Sequence, residues 1–356
     1  MKKLSILITS FMLFALLLSS CTSTISNVTL RLGDYVQMGR YYDEPILWCC
    51  VDVDENGPLM LAERILTLKP FDAPGNHKYL DGTAQVETND YRTSSGSNLW
   101  ETSNMRSWLN STSSEGNVTW PDGCPPTQDK VFEGYNDYAT EKGFMADGNF
   151  SAIERSAIKS VNQKSLLDEL DVSKLSVGGT AIHPWKSRIS DVVSNYDIAF
   201  YHTVTDKMFL LDVKQVNRVY KNSGMLGANY YIGIPTERAI VNSETKRRDL
   251  MEKDIWSYWL RTPEAVFKFG NAIRSVGSDG YVGANLAWGV SGVRPAFYLN
   301  LSTAVFQSGN GQIGTPYLVK GEGLNFILIL GVVVGLLFLA LIGLIMIRKK
   351  GKRTVG

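Results

Sequence analysis

The chain has 356 residues, 44% apolar and 20% charged, which suits a folded protein and excludes a polar, disordered one. Its formal charge of +1 hides an asymmetry: Lys2, Lys3, Arg348, Lys349, Lys350, Lys352 and Arg353 are seven of the 36 basic residues. Residues 22–323 then hold 29 basic against 35 acidic groups, a net −6, which lacks the basic footprint of a nucleic-acid partner.

Residues 1–21 begin with Lys2 and Lys3, continue apolar to Leu18 and end in Ser19-Ser20-Cys21, the pattern of a secretory signal. Leu18-Ser19-Ser20-Cys21 also fits a bacterial lipobox, with Cys21 as the lipidated residue; the other reading is an ordinary cleavage site beside a cysteine. Residues 22–31 form a polar linker. Alternation predicts strands over 34–41, 45–54 and 59–64, the last two joined by a turn at Asp54-Glu55-Asn56-Gly57. Residues 72–98 and 115–126 are polar, Gly-containing loops. Between them Ser103 is placed to cap a helix carrying Met105, Trp108 and Leu109. Ser151 and Glu154 form a capping box before a helix with Ile153, Ala157, Ile158 and Val161 on its apolar face.

Residues 171–197 look irregular, 208–211 suit a buried strand, and Asp212 with Gln215 starts a helix carrying Val216 and Val219. A polar segment, 222–250, leads to the last strands. Residues 271–276 and 281–284 flank Ser278-Asp279-Gly280, a hairpin turn in which Gly280 supplies positive φ. Over 293–299, Val293, Phe297 and Leu299 alternate with Arg294, Ala296 and Tyr298, as in a half-buried strand. Pro295 has no N–H, so this strand belongs at an edge, a bulge or its own start. Strands at both ends with helices between predict an α+β domain whose terminal strands meet in one sheet.

The 22 residues 326–347 carry no charge. At about 1.5 Å per residue they reach roughly 33 Å, enough to cross a bilayer core. The basic residues that follow place the tail 348–356 in the cytoplasm and the body outside. The expected layout is signal 1–21, linker 22–31, domain 32–303, spacer 304–325, transmembrane helix 326–347 and tail 348–356.

Three stretches carry a family resemblance. Gly33-Asp34-Tyr35-Val36-Gln37-Met38-Gly39-Arg40 with Ile46-Leu47-Trp48, then Met105-Arg106-Ser107-Trp108-Leu109-Asn110, then Trp259-Leu260-Arg261-Thr262-Pro263 and Gly292-Val293-Arg294-Pro295-Ala296 resemble a bacterial family of domains of unknown function. In its closing motif that family is similar to the C-type-lectin-like fold of formylglycine-generating enzymes and hypervariable bacterial receptors. The resemblance implies a mixed, mainly antiparallel sheet. Those enzymes depend on a late cysteine pair, and this chain has no cysteine after Cys124, so their chemistry is not expected here.

The remaining residues offer little catalytic pattern. Cys49 and Cys50 read as small strand residues on opposite faces, with a Cys124 bridge to one of them as the alternative. His77, His183 and His202 are scattered, and no nucleophile, phosphate-loop, dinucleotide or metal-ligand motif appears, so no cofactor or metal is expected. Arg261 and Arg294, beside apolar strands, read as carboxylate-paired structural groups. Glu264, Lys268, Arg274, Asp279, Tyr281, Asn285 and Trp288 mix charge, amide and aromatic groups, as a recognition surface does. A solvated loop face with Trp288 tucked inside is the other reading. The expected function is non-catalytic binding of an extracellular protein or glycan by a domain anchored in the bacterial membrane and facing outside. The alternatives are an enzyme on the same fold without the cysteine pair, and a structural subunit of the envelope.

Overall fold

The computed structural model describes residues 25, 28–83, 91–168, 170–171, 188–191, 200–243, 255–264 and 270–320. The signal and lipobox at 1–21, the 326–347 segment and its tail, and Lys268 lie outside the described residues. Among the described residues no helix is long and apolar enough to cross a membrane.

The N-terminal alternation forms strands as expected. β1 (Tyr35–Tyr41) pairs antiparallel with β2 (Glu44–Asp54), and β2 with β3 (Gly57–Ala62). At the β2–β3 turn, Asn56 N–H donates to Asp54 Oδ1 at 2.9 Å and Gly57 takes φ 107°. β4 (Thr67–Pro70) leaves this sheet and starts another.

Helices form where caps satisfy their first N–H groups. Ser103 accepts from Arg106 N ahead of the helix Asn104–Asn110, whose Met105, Trp108 and Leu109 are buried. The Ser151–Glu154 capping box opens a helix that ends at Ser156, shorter than its apolar spacing predicts. Ile158 instead enters β5 (Ile158–Lys159), and Val161 begins β6 (Val161–Leu166). β6 pairs with β7 (Tyr201–Asp206) as a separate two-stranded ribbon that sequence alternation did not reveal. Residues 208–211, expected as a strand, are extended but make only a bridge, Phe209 with Ala296. Asp212 and Gln215 then cap the helix Val213–Lys221 with Val216 and Val219 inward.

The C-terminal region builds both main sheets. β8 (Tyr258–Pro263), β9 (Ala272–Val276), β10 (Val282–Leu286) and β11 (Val290–Val293) join β4 in a five-stranded sheet ordered β10-β9-β8-β11-β4. β12 (Ala296–Leu299) crosses to the other sheet, between β3 and β5. The expected single strand over 293–299 is therefore two, broken at Arg294-Pro295, where proline cannot donate to a ladder. Nor is it half-buried: residues 291–299 are buried on both faces.

Residues 304–320, expected as a spacer, contribute β13 (Phe306–Ser308) and β14 (Tyr317–Val319). β14 runs parallel to β1 and completes a seven-stranded sheet ordered β13-β14-β1-β2-β3-β12-β5. The result is an α+β protein with mixed sheets and few helices. One core spans both sheets, holding Trp48, Trp108, Trp256, Trp259 and Phe297.

Candidate functional site

Arg294 occupies the point where the chain changes sheets. Its Nε donates to Ala62 O at 2.9 Å, and its terminal nitrogens to Tyr230 O at 3.0 Å and Glu63 O at 3.2 Å. The guanidinium stacks 4.9 Å from the Tyr230 ring and 5.6 Å from Tyr258. Tyr230 donates its hydroxyl to Glu63 Oε2 at 2.7 Å. Burial works against the charge of Arg294, but the surrounding Tyr230, Tyr258 and Glu63 raise its pKa on balance. Below this layer burial pushes the Cys49 thiol up to about 12 and holds it neutral.

Above Arg294 is a pocket of about 230 Å³, floored by Arg294, Glu63 and Tyr230 and walled by Leu226, Ile232, Ile234 and Ile255. Apolar walls over a small polar floor are the usual make-up of a ligand pocket. Beside it, Met225 is 67% exposed and Ile234 42%. The β9–β10 turn adjoins the same wall. A Cβ built on Gly280, at φ 79°, would lie 2.9 Å from the Tyr231 hydroxyl and 3.4 Å from Ile232. Only glycine lets the turn approach so closely.

Asp279 fixes that turn by accepting from Tyr281 N–H at 3.0 Å. Tyr281 follows, 45% exposed; burial, then Tyr220, and last Tyr281 raise the pKa of the Tyr231 hydroxyl. Tyr231 packs edge-on against Tyr220 at 5.3 Å, and its carbonyl accepts from the Tyr258 hydroxyl at 2.7 Å. The turn, the tyrosines and the pocket thus form one continuous face.

The structure separates the other residues expected to join it. Glu264 and Arg274 are buried, their charged atoms 3.7 Å apart, so they lie beneath the surface rather than on it. Asn285 is exposed, and Trp288 is half-buried and edge-on to Phe132 at 5.5 Å. Tyr281 and Trp288 lie beyond opposite ends of β10. Arg261 ties β8 to the capped helix through Leu210 O and Gln215 Oε1, each at 2.6 Å, and Asp212 Oδ2 at 2.8 Å. The partners of Arg294 among the described residues are carbonyls and rings, where the sequence suggested a carboxylate.

Of the three scattered histidines, His183 lies outside the described residues and the other two sit beside carboxylates. His77 Nε2 is 3.5 Å from Asp72 Oδ2, but it is buried and bonded to Ala73 O at 2.7 Å. His202 Nε2 lies 2.6 Å from Glu101 Oε2 in a partly exposed pair. Cys49, Cys50 and Cys124 are free thiols, all buried. Among the described residues no group of three or more His, Cys, Asp or Glu is placed to hold a metal.

A larger cleft, about 800 Å³, opens beside β1 and the 147–155 segment. Among its charged groups, Glu154 accepts from Gly39 N and Ser151 N, both at 2.8 Å, and Arg155 pairs with Asp147 at 2.7 Å. This cleft has apolar lining too, from Met38, Pro45, Phe150, Leu318 and Val319, and the smaller pocket differs in lying beside the tyrosine face.

Fold and site together define an α+β domain that presents an aromatic face beside an apolar pocket. Residues 56–301 match a domain of unknown function, DUF6273, and the chain belongs to that family. No curated protein and no solved structure matches the chain.

Proposed function

We propose that this domain is a non-catalytic binding module that recognises an extracellular protein or glycan. In this reading it adopts a C-type-lectin-like fold, and residues 326–347 hold it outside the bacterial membrane. The observation that carries the binding is Tyr281, exposed on a turn locked by Asp279 and set against Tyr231 and the apolar pocket. Rigid aromatics over a fixed scaffold give contact area at small entropic cost. The walls of Leu226, Ile232 and Ile234 favour an apolar side chain of a protein ligand, while the tyrosine rings also suit the face of a sugar.

The test is to screen the protein against arrays of extracellular proteins and glycans, then repeat any hit with Tyr281→Ala. Binding that survives Tyr281→Ala and Ile234→Glu rules this face out. A second, catalytic reading rests on the Glu101–His202 pair and on Ser165, which stands opposite His202 in the ladder and makes no hydrogen bond among the described residues. Turnover of an ester or amide probe that His202→Ala abolishes would favour it.

A further inference from the structure

An asparagine two residues before a serine or threonine accepts an N-linked glycan when the chain is exported and the amide lies on a surface loop. Five such tripeptides occur here, opening at Asn27, Asn110, Asn117, Asn149 and Asn300. Asn27 lies outside the described residues. Bacterial transferases of this class also select a carboxylate two residues ahead of the asparagine. Asn117, with Glu115 ahead, and Asn149, with Asp147, are the two that have one.

Burial separates these two. Asn149 is 5% exposed, and its amide nitrogen donates to Phe144 O at 3.1 Å and Gly143 O at 3.5 Å. Its hydroxyl residue, Ser151, caps a helix by accepting from Glu154 N at 3.2 Å. Transfer to Asn149 would need that wall unfolded. Asn117 sits instead on a loop, residues 111–120, that contains no helix or strand. Ser114, Glu115, Gly116, Asn117 and Thr119 are all exposed. Asn117 N donates to Ser114 O at 3.0 Å, closing a turn in which Gly116 takes φ 72°. A Cβ built on Gly116 would meet nothing within 4 Å, so the turn stands clear of the body. The Asn117 amide nitrogen bonds within this turn, to Ser114 Oγ and Glu115 O, each at 3.0 Å and exposed. Water replaces such bonds at little net cost. Val118 is the buried member of the tripeptide, so seating it in a transferase lifts one valine and no helix cap.

We propose that Asn117 is a modification site carrying an N-linked glycan. In the transfer, the Asn117 amide nitrogen bonds to the anomeric carbon of an oligosaccharide held on a lipid pyrophosphate. The bond from that carbon to the pyrophosphate oxygen breaks, the lipid pyrophosphate leaves with the electron pair, and the amide nitrogen gives up one proton. The proposal rests on the export of the body proposed above, because the lipid-linked donor is used on the outer face of the membrane. The other two described tripeptides are poorer acceptors. The Asn110 amide nitrogen is held by Arg106 O at 3.0 Å and Met208 O at 2.8 Å. Asn300 is half-buried, its Oδ1 accepts from Ser302 Oγ at 2.6 Å, and it has no carboxylate ahead of it.

Mass spectrometry of peptides from the full chain, purified from the membranes of the cells that make it, tests this directly. The peptide holding Asn117 is expected to carry a glycan mass, with fragment ions placing it on that residue. The peptides holding Asn110 and Asn149 are expected to be bare. Asn117→Gln and Thr119→Ala should each abolish the modification, and Asn117→Gln should leave the melting temperature near that of the wild-type chain stripped of its glycan. Protease added to intact cells scores export separately. A body that is cleaved from outside while Asn117 is bare overturns the glycan and leaves the export reading standing. A body that protease cannot reach overturns the export reading and this proposal with it. A glycan that persists in Asn117→Gln, or one found on Asn149, overturns the assignment to the exposed turn.

Discussion

Arg294→Ala removes the group that joins the two main sheets and floors the pocket. Three carbonyls, of Ala62, Glu63 and Tyr230, lose a charged donor, and two tyrosine rings lose a stacked cation. A buried acceptor left without its donor costs about 1–3 kcal/mol. Three full penalties overstate the loss, because the pocket lets water reach the Tyr230 side once the guanidinium is gone. The remaining carbonyls, with the lost stacking, give about 3–5 kcal/mol, a large part of the roughly 5–15 kcal/mol that stabilises a typical domain. Arg294→Lys keeps the charge without the planar fork and is expected to fall between wild type and alanine. Urea unfolding followed by tryptophan fluorescence measures both variants. A loss below about 1 kcal/mol for Arg294→Ala would refute the reasoning, since it would mean the three bonds contribute little net stability.

Three other perturbations test separate parts of the structure. Arg92 holds the buried Asp171 through two bonds, at 2.9 and 2.7 Å, so Arg92→Ala strands a carboxylate and is expected to cost about 3–5 kcal/mol in the same unfolding assay. The hydrogen bond with His202 lowers the Glu101 pKa, burial opposing it. A lowered carboxyl contributes stability above its unfolded pKa and loses it as pH falls through the folded value. Glu101→Gln should therefore flatten the acid limb of stability against pH, and an unchanged limb contradicts that pairing. Burial pushes the thiols of Cys49 and Cys50 up to about 12, so at pH 8 both should react with a thiol reagent only as fast as the protein opens. Immediate labelling of either would contradict their burial.

The sequence exposed local signals well and long-range ones poorly. The caps at Ser103, Ser151 and Asp212 are decided within four residues, and each opens the helix expected. The Gly280 turn is equally local. The break at Arg294-Pro295 is not, because a strand that changes sheets keeps the same period-two pattern on either side. β6 and β7 leave little trace in the sequence because their inward positions include Gln163, Ser165 and Asp206, which read as polar loop. Glu264 and Arg274 read as surface groups in the sequence for the same reason: composition does not show that two charges meet inside. Tyr281 was legible, but the pocket beside it was not. Most of its walls come from the 226–234 segment, with Ile255 added, and nothing in either stretch announces the Tyr281 turn.

The most direct test of the binding face measures affinity and stability together for Tyr281→Ala and Trp288→Ala, using a partner found in the array screen. Tyr281 is 45% exposed and Trp288 packs on Phe132, so the two truncations should separate. Tyr281→Ala is expected to weaken binding at least about tenfold, a loss of roughly 1.4 kcal/mol, with the melting temperature nearly unchanged. Trp288→Ala is expected to lower the melting temperature and leave the affinity of the folded protein close to wild type. Undiminished binding by Tyr281→Ala, or a loss of binding that only follows a loss of folding, would contradict a recognition face at the β9–β10 turn.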